Sequence, residues 1–462
     1  MAKPNKVHFI GICGVAMSAV ATALHKKGFK VTGSDAGFFP PISTHLTKLG
    51  IPYYAGWHPE KMIEGGKPDL VIVGNAIGTT NPELLYVKEN KMTFKSYPEA
   101  IGEFLIAKNS IVAAGTYGKT TSSALLTHIL RHAKWNPSYM IGGLTQDEYP
   151  AAAIDSTEWS VVEGDEYTTA KWDQRPKFAH YKPTHLLLTA VKWDHADIYK
   201  TEESYFDAFR TLIKELPKPQ SIIVSCLDSE TAHKLIDQAI RGFVSYGKSE
   251  FASYRYSDVV QSKDGLKFKI THDDLIHEIK SPLLGAYNAE NITGCFAMAY
   301  EIGIPADKVV EAISSFMGMK RRMEKRLDGK VTVIDDIAHS PEKAKSVLKN
   351  LREIYSGKII AVYEPNTGNR TPESIPSYKD AFRDADEVIV PALTKLKVDA
   401  KDTDKTFDGA KLAEVIGKNA KYIEDDDTLV THLIQGRKAG DVIAFLGSHG
   451  FRGMIEETVK KF

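Results

Sequence analysis

Residues 110–121, Ser-Ile-Val-Ala-Ala-Gly-Thr-Tyr-Gly-Lys-Thr-Thr, decide the fold of this chain. The apolar run Ser110 to Ala114 predicts a buried strand, Gly115 to Gly118 a tight turn, and Thr120 onward a helix. Such a turn aims backbone N–H groups and a helix N-terminus at one point, which suits a phosphate. Lys119 is then placed to reach the β- and γ-phosphates of ATP, and the Thr120 hydroxyl to ligate Mg²⁺. The phosphate-loop pattern G-x-x-x-x-G-K-[ST] opens on glycine, and this chain has Ala113 there. Gly115 and Gly118 still supply the flexible turn, so ATP binding is the reading and a chance structural turn the alternative.

Around that loop, 462 residues suggest roughly two to four domains, three by the usual length prior. Basic and acidic residues balance at 59 and 59, so no global field draws in nucleic acid or an anionic membrane. Cys13, Cys226 and Cys295 are too widely separated for a disulfide framework or a zinc site, and are expected as small buried residues in a reducing compartment. Val7 to Ile10 predicts a strand at once, with no leader before it. No apolar run approaches the roughly 18–20 residues that span a bilayer. The expectation is a cytoplasmic enzyme without membrane insertion, a monomer or weak homodimer.

Strand and helix signals alternate through three segments, which predicts α/β architecture with mainly parallel sheets. The boundaries fall at 1–107, 108–317 and 318–462. The first segment has strands at Val7–Ile10, Phe29–Thr32 and Leu70–Gly74, and a helix from Val15 to Lys27 closed by Gly28, a residue suited to a left-handed cap. The second adds strands at Ser160–Val162, His185–Thr189 and Ser221–Ser225, then helices at Ala289–Ile302 and Ala306–Phe316. Residues 246–280 lean toward a β-hairpin. The third restarts near Gly318, with strands at Val331–Ile334, Lys358–Tyr363, Val388–Val390 and Val442–Leu446 and a helix at Pro341–Tyr355. Lys395–Lys405 reads as a solvated loop.

Several clusters fall at strand ends. Gly11-Ile-Cys-Gly14-Val-Ala-Met17-Ser18 follows the first strand, a degenerate dinucleotide turn, with Asp35 after the second strand where an acid faces a ribose or base. Taken alone this turn suggests NAD, a diphosphate site or simple helix packing. Glu163, first of the acids in Glu163-Gly-Asp-Glu-Tyr, is the candidate Mg²⁺ ligand, with a solvated turn as the alternative. His195, in Asp194-His-Ala-Asp197, stands where a neighbouring strand end meets the loop; it either binds a second Mg²⁺ or orients the γ-phosphate. Asn288 and Asn291, three apart on a helix, suit a purine edge, though Asn288 also fits a helix cap. Lys320-Arg321-Arg322 can fork onto a nucleotide, and Asp335-Asp-Ile-Ala-His339 gathers acid and imidazole before a helix.

In order and spacing, Gly115-Thr-Tyr-Gly-Lys-Thr-Thr121, Glu163-Gly-Asp-Glu-Tyr, Asp194-His-Ala-Asp, Tyr287-Asn-Ala-Glu-Asn291, Arg321-Arg322 and Asp335–His339 resemble the Mur ligase family. The resemblance runs along the whole chain. It implies three α/β domains: a Rossmann-like UDP-binding domain, a central phosphate-loop ATPase domain and a Rossmann-like acceptor domain. It implies ATP-dependent amide formation in peptidoglycan synthesis, with ATP at Gly115, Thr116, Gly118, Lys119, Thr120, Thr121, Asn288, Asn291, Arg322 and Asp336. UDP-N-acetylmuramate would lie at Gly11, Gly14, Met17, Ser18, Ser34, Asp35 and Asn75, and Mg²⁺ at Thr120, Glu163 and His195. Lys119, Glu163, His195 and His339 are the implied catalytic residues, His339 as proton acceptor or as a contact to phosphate or peptide.

Within the family, Gly33-Ser-Asp-Ala-Gly-Phe-Phe-Pro-Pro41, Gly74-Asn-Ala76, Asp173-Gln-Arg175-Pro-Lys177-Phe178, Asp194-His-Ala-Asp-Ile198 and Tyr363-Glu-Pro365 are most similar to the recycling branch. That branch joins UDP-N-acetylmuramate to L-alanyl-γ-D-glutamyl-meso-diaminopimelate; a related branch adds L-alanine alone. Three positions depart from the family. Tyr117 replaces a histidine, Arg210 stands where later ligases carry a carbamylated lysine, and Gly447-Ser-His-Gly450-Phe-Arg452-Gly453 matches neither branch.

Overall fold

The structure is a computed structural model that describes residues 5–38, 42–155, 157–195, 198–217, 221–237, 242–394 and 407–462. Lys395–Lys405, Phe39, Pro40, Pro41, Ala196 and Asp197, which figure in the sequence reading, lie outside the described residues. Three sheets carry the architecture. The first is wholly parallel, in the order Tyr53–Ala55, Lys30–Asp35, Lys6–Ile10, Leu70–Val73, Phe94–Ser96. Its central strands bury Val7, Phe9, Val71 and Ile72 almost completely, as a sheet covered on both faces requires. The helix Val15–Lys26 packs on it and ends at Gly28, whose φ of +91° is the left-handed conformation expected there.

The second sheet is built outward from the phosphate-loop strand, Asn109–Ala114, which pairs in parallel with Trp159–Gly164 on one side and His185–Leu188 on the other. Beyond His185–Leu188 come Ile222–Cys226 and Val244–Gly247, and beyond Trp159–Gly164 comes Ser138–Met140. The sheet has ten strands, because residues 246–280 form three consecutive strands at its edge, Tyr254–Ser262, Gly265–His272 and Leu275–Ser281, rather than one hairpin. The third sheet runs Glu324–Asp328, Thr332–Asp336, Val442–Gly447, Ile359–Glu364, Glu387–Pro391, Ala420–Ile423, parallel except for its first strand.

By packing, the chain forms two units. One is Met1–Asp258, Phe268–Ile279 and Ala289–Phe316; the other is Val259–Lys267, Lys280–Asn288 and Met317–Phe462. The first unit holds the first sheet and most of the second because one apolar core runs through both, from Val7 and Leu24 to Val112, Phe178 and Phe209. Gly102, in the last helix of the first sheet, approaches so closely that a Cβ there would lie 2.5 Å from the His180 carbonyl oxygen. The second unit has its own core on both faces of the third sheet, around Leu348 and Tyr363 on one side and Phe445 and Leu433 on the other.

Two buried histidines make the stability of the first unit pH-dependent. Burial lowers His128, packed on Phe316, to about 4, and burial lowers His185, packed on Trp159, to about 4. An unfolded histidine titrates near ~6.5, so the unfolded chain takes up protons first as pH falls. Their contribution is therefore present above that pH and is lost as pH drops through the window down to about 4. The urea midpoint is expected to be lower at pH ~5 than at pH ~7.5; equal midpoints would contradict this.

Candidate active site

The turn after the phosphate-loop strand is held from outside by the next strand end. Thr116 N–H donates to the Ala190 oxygen at 2.8 Å, and the Thr189 hydroxyl donates to the Tyr117 oxygen at 2.7 Å. Gly115 has φ +140° and Gly118 φ +83°; a Cβ would lie 2.1 Å from Thr189 Oγ1 at the first and 2.2 Å from Asn291 Oδ1 at the second. Only glycine fits either place. The helix begins at Lys119, one residue earlier than expected, and its N-cap Gly118 brings no side chain to the first-turn N–H groups. That is the usual condition of a helix start that receives an anion. Thr121, in the same first turn, is half-buried.

Two carboxylates face this helix start from the end of Trp159–Gly164. Glu163 Oε1 accepts from the Thr120 hydroxyl at 2.9 Å, while Oε2 accepts from Gly142 N–H at 2.8 Å. Glu166, only 1 % exposed, takes the Lys119 ammonium at 2.9 Å and His195 Nε2 at 3.1 Å. Lys119 also donates to the Gly115 oxygen at 2.7 Å. Burial disfavours charge on His195, but the Glu166 hydrogen bond and the Asp194 and Glu166 charges outweigh it and raise its pKa.

His195, expected either to bind a second Mg²⁺ or to orient the γ-phosphate, has its Nε2 on Glu166, within the lysine's ion pair. Glu166 itself is the residue that sequence reasoning passed over. The acidic run pointed to it, but the chain turns after Gly164 and re-aims the later acids, so strand alternation gives no guide. Among the described residues no group of three or more His, Cys, Asp or Glu side chains forms a closed metal cage. The Thr120–Glu163 pair nevertheless fits Mg²⁺, which commonly takes one or two protein oxygens and fills its shell with water and phosphate. Glu163→Gln is expected to raise the Mg²⁺ needed for half-maximal activity about tenfold, since it removes the pair's one negative charge. An unchanged metal titration would argue against Glu163.

In the first sheet, Gly11 has φ +90°, and its N–H and that of Ile12 both donate to the Ser34 oxygen. Ser34 does not offer its side chain outward: it is fully buried and its hydroxyl donates to Glu83. Asp35, expected to face a ribose or base, accepts from Cys13 N–H at 2.8 Å and so braces the turn itself. Met17 and Ser18 are buried too, Met17 against Gly14 and Gly74. Asn75 is exposed at the neighbouring strand end.

In the second unit, Asp336 accepts from Met323 N–H at 2.7 Å and Ala338 N–H at 2.8 Å. Each oxygen of this expected ATP contact thus accepts one backbone N–H, one from its own turn and one from the segment before Glu324–Asp328, and burial raises its pKa to about 6. Asn288, the first residue of the helix Asn288–Glu301, donates its side-chain amide to the Leu284 oxygen. Arg321 donates to the Gly447, Ser448 and His449 oxygens. His339 Nδ1 donates to the Ile337 oxygen at 2.8 Å, which leaves Nε2 as the basic atom. Burial lowers its pKa, which favours the neutral ring.

Three family descriptions match the chain in order: "Mur ligase family, catalytic domain" over residues 6–109, "Mur ligase middle domain" over 113–299, and "Mur ligase, glutamate ligase domain" over 321–449. The chain is 31% identical over 470 residues to the UDP-N-acetylmuramate–L-alanyl-gamma-D-glutamyl-meso-2,6-diaminoheptandioate ligase of Escherichia coli (strain K12), covering 98% of this chain and 97% of that protein. It is 30% identical over 451 residues to the UDP-N-acetylmuramate–L-alanine ligase of Anaeromyxobacter sp. (strain Fw109-5), covering 96% and 95%. The crystal structure of UDP-N-acetylmuramate–alanine ligase from Thermotoga maritima shares the fold, with TM-score 0.78 at 23% identity over 99% of this chain and 98% of that one. The chain belongs to the Mur ligase family. It has that family's three-domain α/β fold, and it is an ATP-dependent ligase that forms a carbon–nitrogen bond.

Proposed function

We propose that this ligase joins UDP-N-acetylmuramate to L-alanyl-γ-D-glutamyl-meso-diaminopimelate. The observation that carries the chemistry is the assembly at three adjacent strand ends: Lys119 on Glu166, His195 on the same carboxylate, and Thr120 on Glu163. The tripeptide is favoured by the likeness of Asp173-Gln-Arg175-Pro-Lys177-Phe178 and the other quoted stretches to the recycling branch. Relatives at nearly equal identity carry the tripeptide or L-alanine in their names, so L-alanine is the second reading.

A carboxylate does not react with an amine at neutral pH, because its leaving oxygen is poor. The muramoyl carboxylate oxygen attacks the γ-phosphorus of ATP, the bond to the β–γ bridging oxygen breaks, and ADP leaves. The acceptor amine then attacks the acyl carbon, the bond to the phosphate oxygen breaks, and orthophosphate leaves as the amine gives up a proton. Both steps gather negative charge on oxygen, so positioning and electrostatics do most of the work. Lys119 neutralises the transferring phosphoryl group, the backbone N–H groups at Gly118–Thr121 hold the phosphates, and His339 Nε2 is the candidate proton acceptor. Mg²⁺ at Thr120 and Glu163 would add Lewis-acid neutralisation of the same oxygens.

The test is phosphate release with ATP and UDP-N-acetylmuramate, comparing the tripeptide with L-alanine. Strong stimulation by the tripeptide and little by L-alanine is expected; the reverse order assigns the chain to the alanine-adding branch.

A further inference from the structure

A second ammonium stands beside the phosphate-loop cluster, and the chemistry above leaves it without a task. Lys177 follows the hairpin Thr168–Ala170/Asp173–Pro176 and opens a short turn, Lys177–His180. Its backbone is fixed: Lys177 N–H donates to the Tyr167 oxygen at 2.9 Å, and the next residue, Phe178, is buried. The side chain is 13 % exposed and its ammonium lies 2.6 Å from Asp165 Oδ2, between Glu163 and Glu166 in sequence. It also stands 5.6 Å over the Tyr167 ring, whose other neighbour is His195 with ring centroids 4.2 Å apart. Lys177, Tyr167, His195, Glu166 and Lys119 therefore form one continuous chain of contacts.

The turn that carries Lys177 packs against Tyr97–Phe104, the last helix of the first sheet, at the Gly102–His180 close approach. The lysine thus sits between the sheet expected to hold the sugar nucleotide and the loop expected to hold the triphosphate. The two reactants are both anions, and bringing a carboxylate to a γ-phosphate is opposed by Coulomb repulsion that a site of low polarity magnifies. Lys119 is committed to the phosphate. A partly buried lysine–carboxylate pair adds little net stability, so fold stability alone is a weak reason for it.

We propose that Lys177 exchanges Asp165 for the carboxylate of the sugar-nucleotide donor and holds that acid for attack on the γ-phosphate. The inference rests on the ligase reading. Lys177→Met is expected to raise the KM for UDP-N-acetylmuramate about 30-fold, with the KM for ATP within about twofold, and Lys177→Arg to recover most of the loss. A purely structural ion pair would lower the melting temperature without separating the two substrates. Unchanged donor KM in folded Lys177→Met overturns the assignment while leaving the ligase intact; no donor-dependent phosphate release by the wild type overturns both. The wild type gives a reading free of folding effects: UDP-N-acetylmuramate alone should slow acetylation of Lys177 about fivefold or more. Equal labelling of free and donor-saturated protein overturns the proposal.

Discussion

Lys119→Ala is expected to lower kcat at saturating ATP and donor about 1,000-fold, measured as phosphate release. The ammonium now sits on Glu166 and on the Gly115 and Thr116 carbonyl oxygens, against the loop expected to hold the phosphates. Its value lies in the transition state, when charge spreads over the transferring oxygens, so removing it should lower kcat more than it raises the KM for ATP. Glu166 would be left buried with His195 as its remaining charged partner, and loss of one member of a buried pair costs about 3–5 kcal/mol. A lower melting temperature is therefore expected too. Near-wild-type turnover by a folded variant would refute the assignment.

Gly115→Ala is expected to be nearly as damaging, by geometry rather than charge. Its φ of +140° is outside the range an alanine tolerates, and the added Cβ would lie 2.1 Å from Thr189 Oγ1 and 3.1 Å from the Ala190 oxygen. Those atoms hold Tyr117 and Thr116 in place, so relief of the clash has to deform the loop. ATP affinity should fall about 100-fold, by around 2.7 kcal/mol, in equilibrium binding. Gly28→Ala is the comparison: its φ is +91° but nothing lies within 4 Å of the added carbon. Equal ATP affinity in Gly115→Ala and wild type would show that the turn does not seat the nucleotide.

The phosphate loop was legible because each of its signals is local: an apolar strand, two glycines, a lysine and a helix within twelve residues. The parallel sheets were legible for the same reason, from apolar runs separated by helical stretches. What stayed hidden depended on which way a side chain turns once the chain leaves a strand. Glu163 and Glu166 look alike in sequence, yet one meets Thr120 and the other Lys119 and His195. Ser34, Asp35 and Asp336, expected as ligand contacts, also bond within the fold, to Glu83, to Cys13 N–H, and to Met323 and Ala338 N–H, partners the sequence did not show. Backbone donors in a tight turn compete for the nearest acceptor, and the sequence does not show who wins. The continuity of core between the first two sheets was hidden as well, since it depends on side chains brought together only by the fold.

The account turns on activation of the donor's acid by ATP. With both carboxyl oxygens of UDP-N-acetylmuramate replaced by a heavy oxygen isotope, mass spectrometry of the released orthophosphate reads that step directly. One heavy oxygen per phosphate is the predicted result, because the attacking oxygen leaves with the phosphorus. Phosphate free of the label, alongside normal formation of the amide, would contradict it.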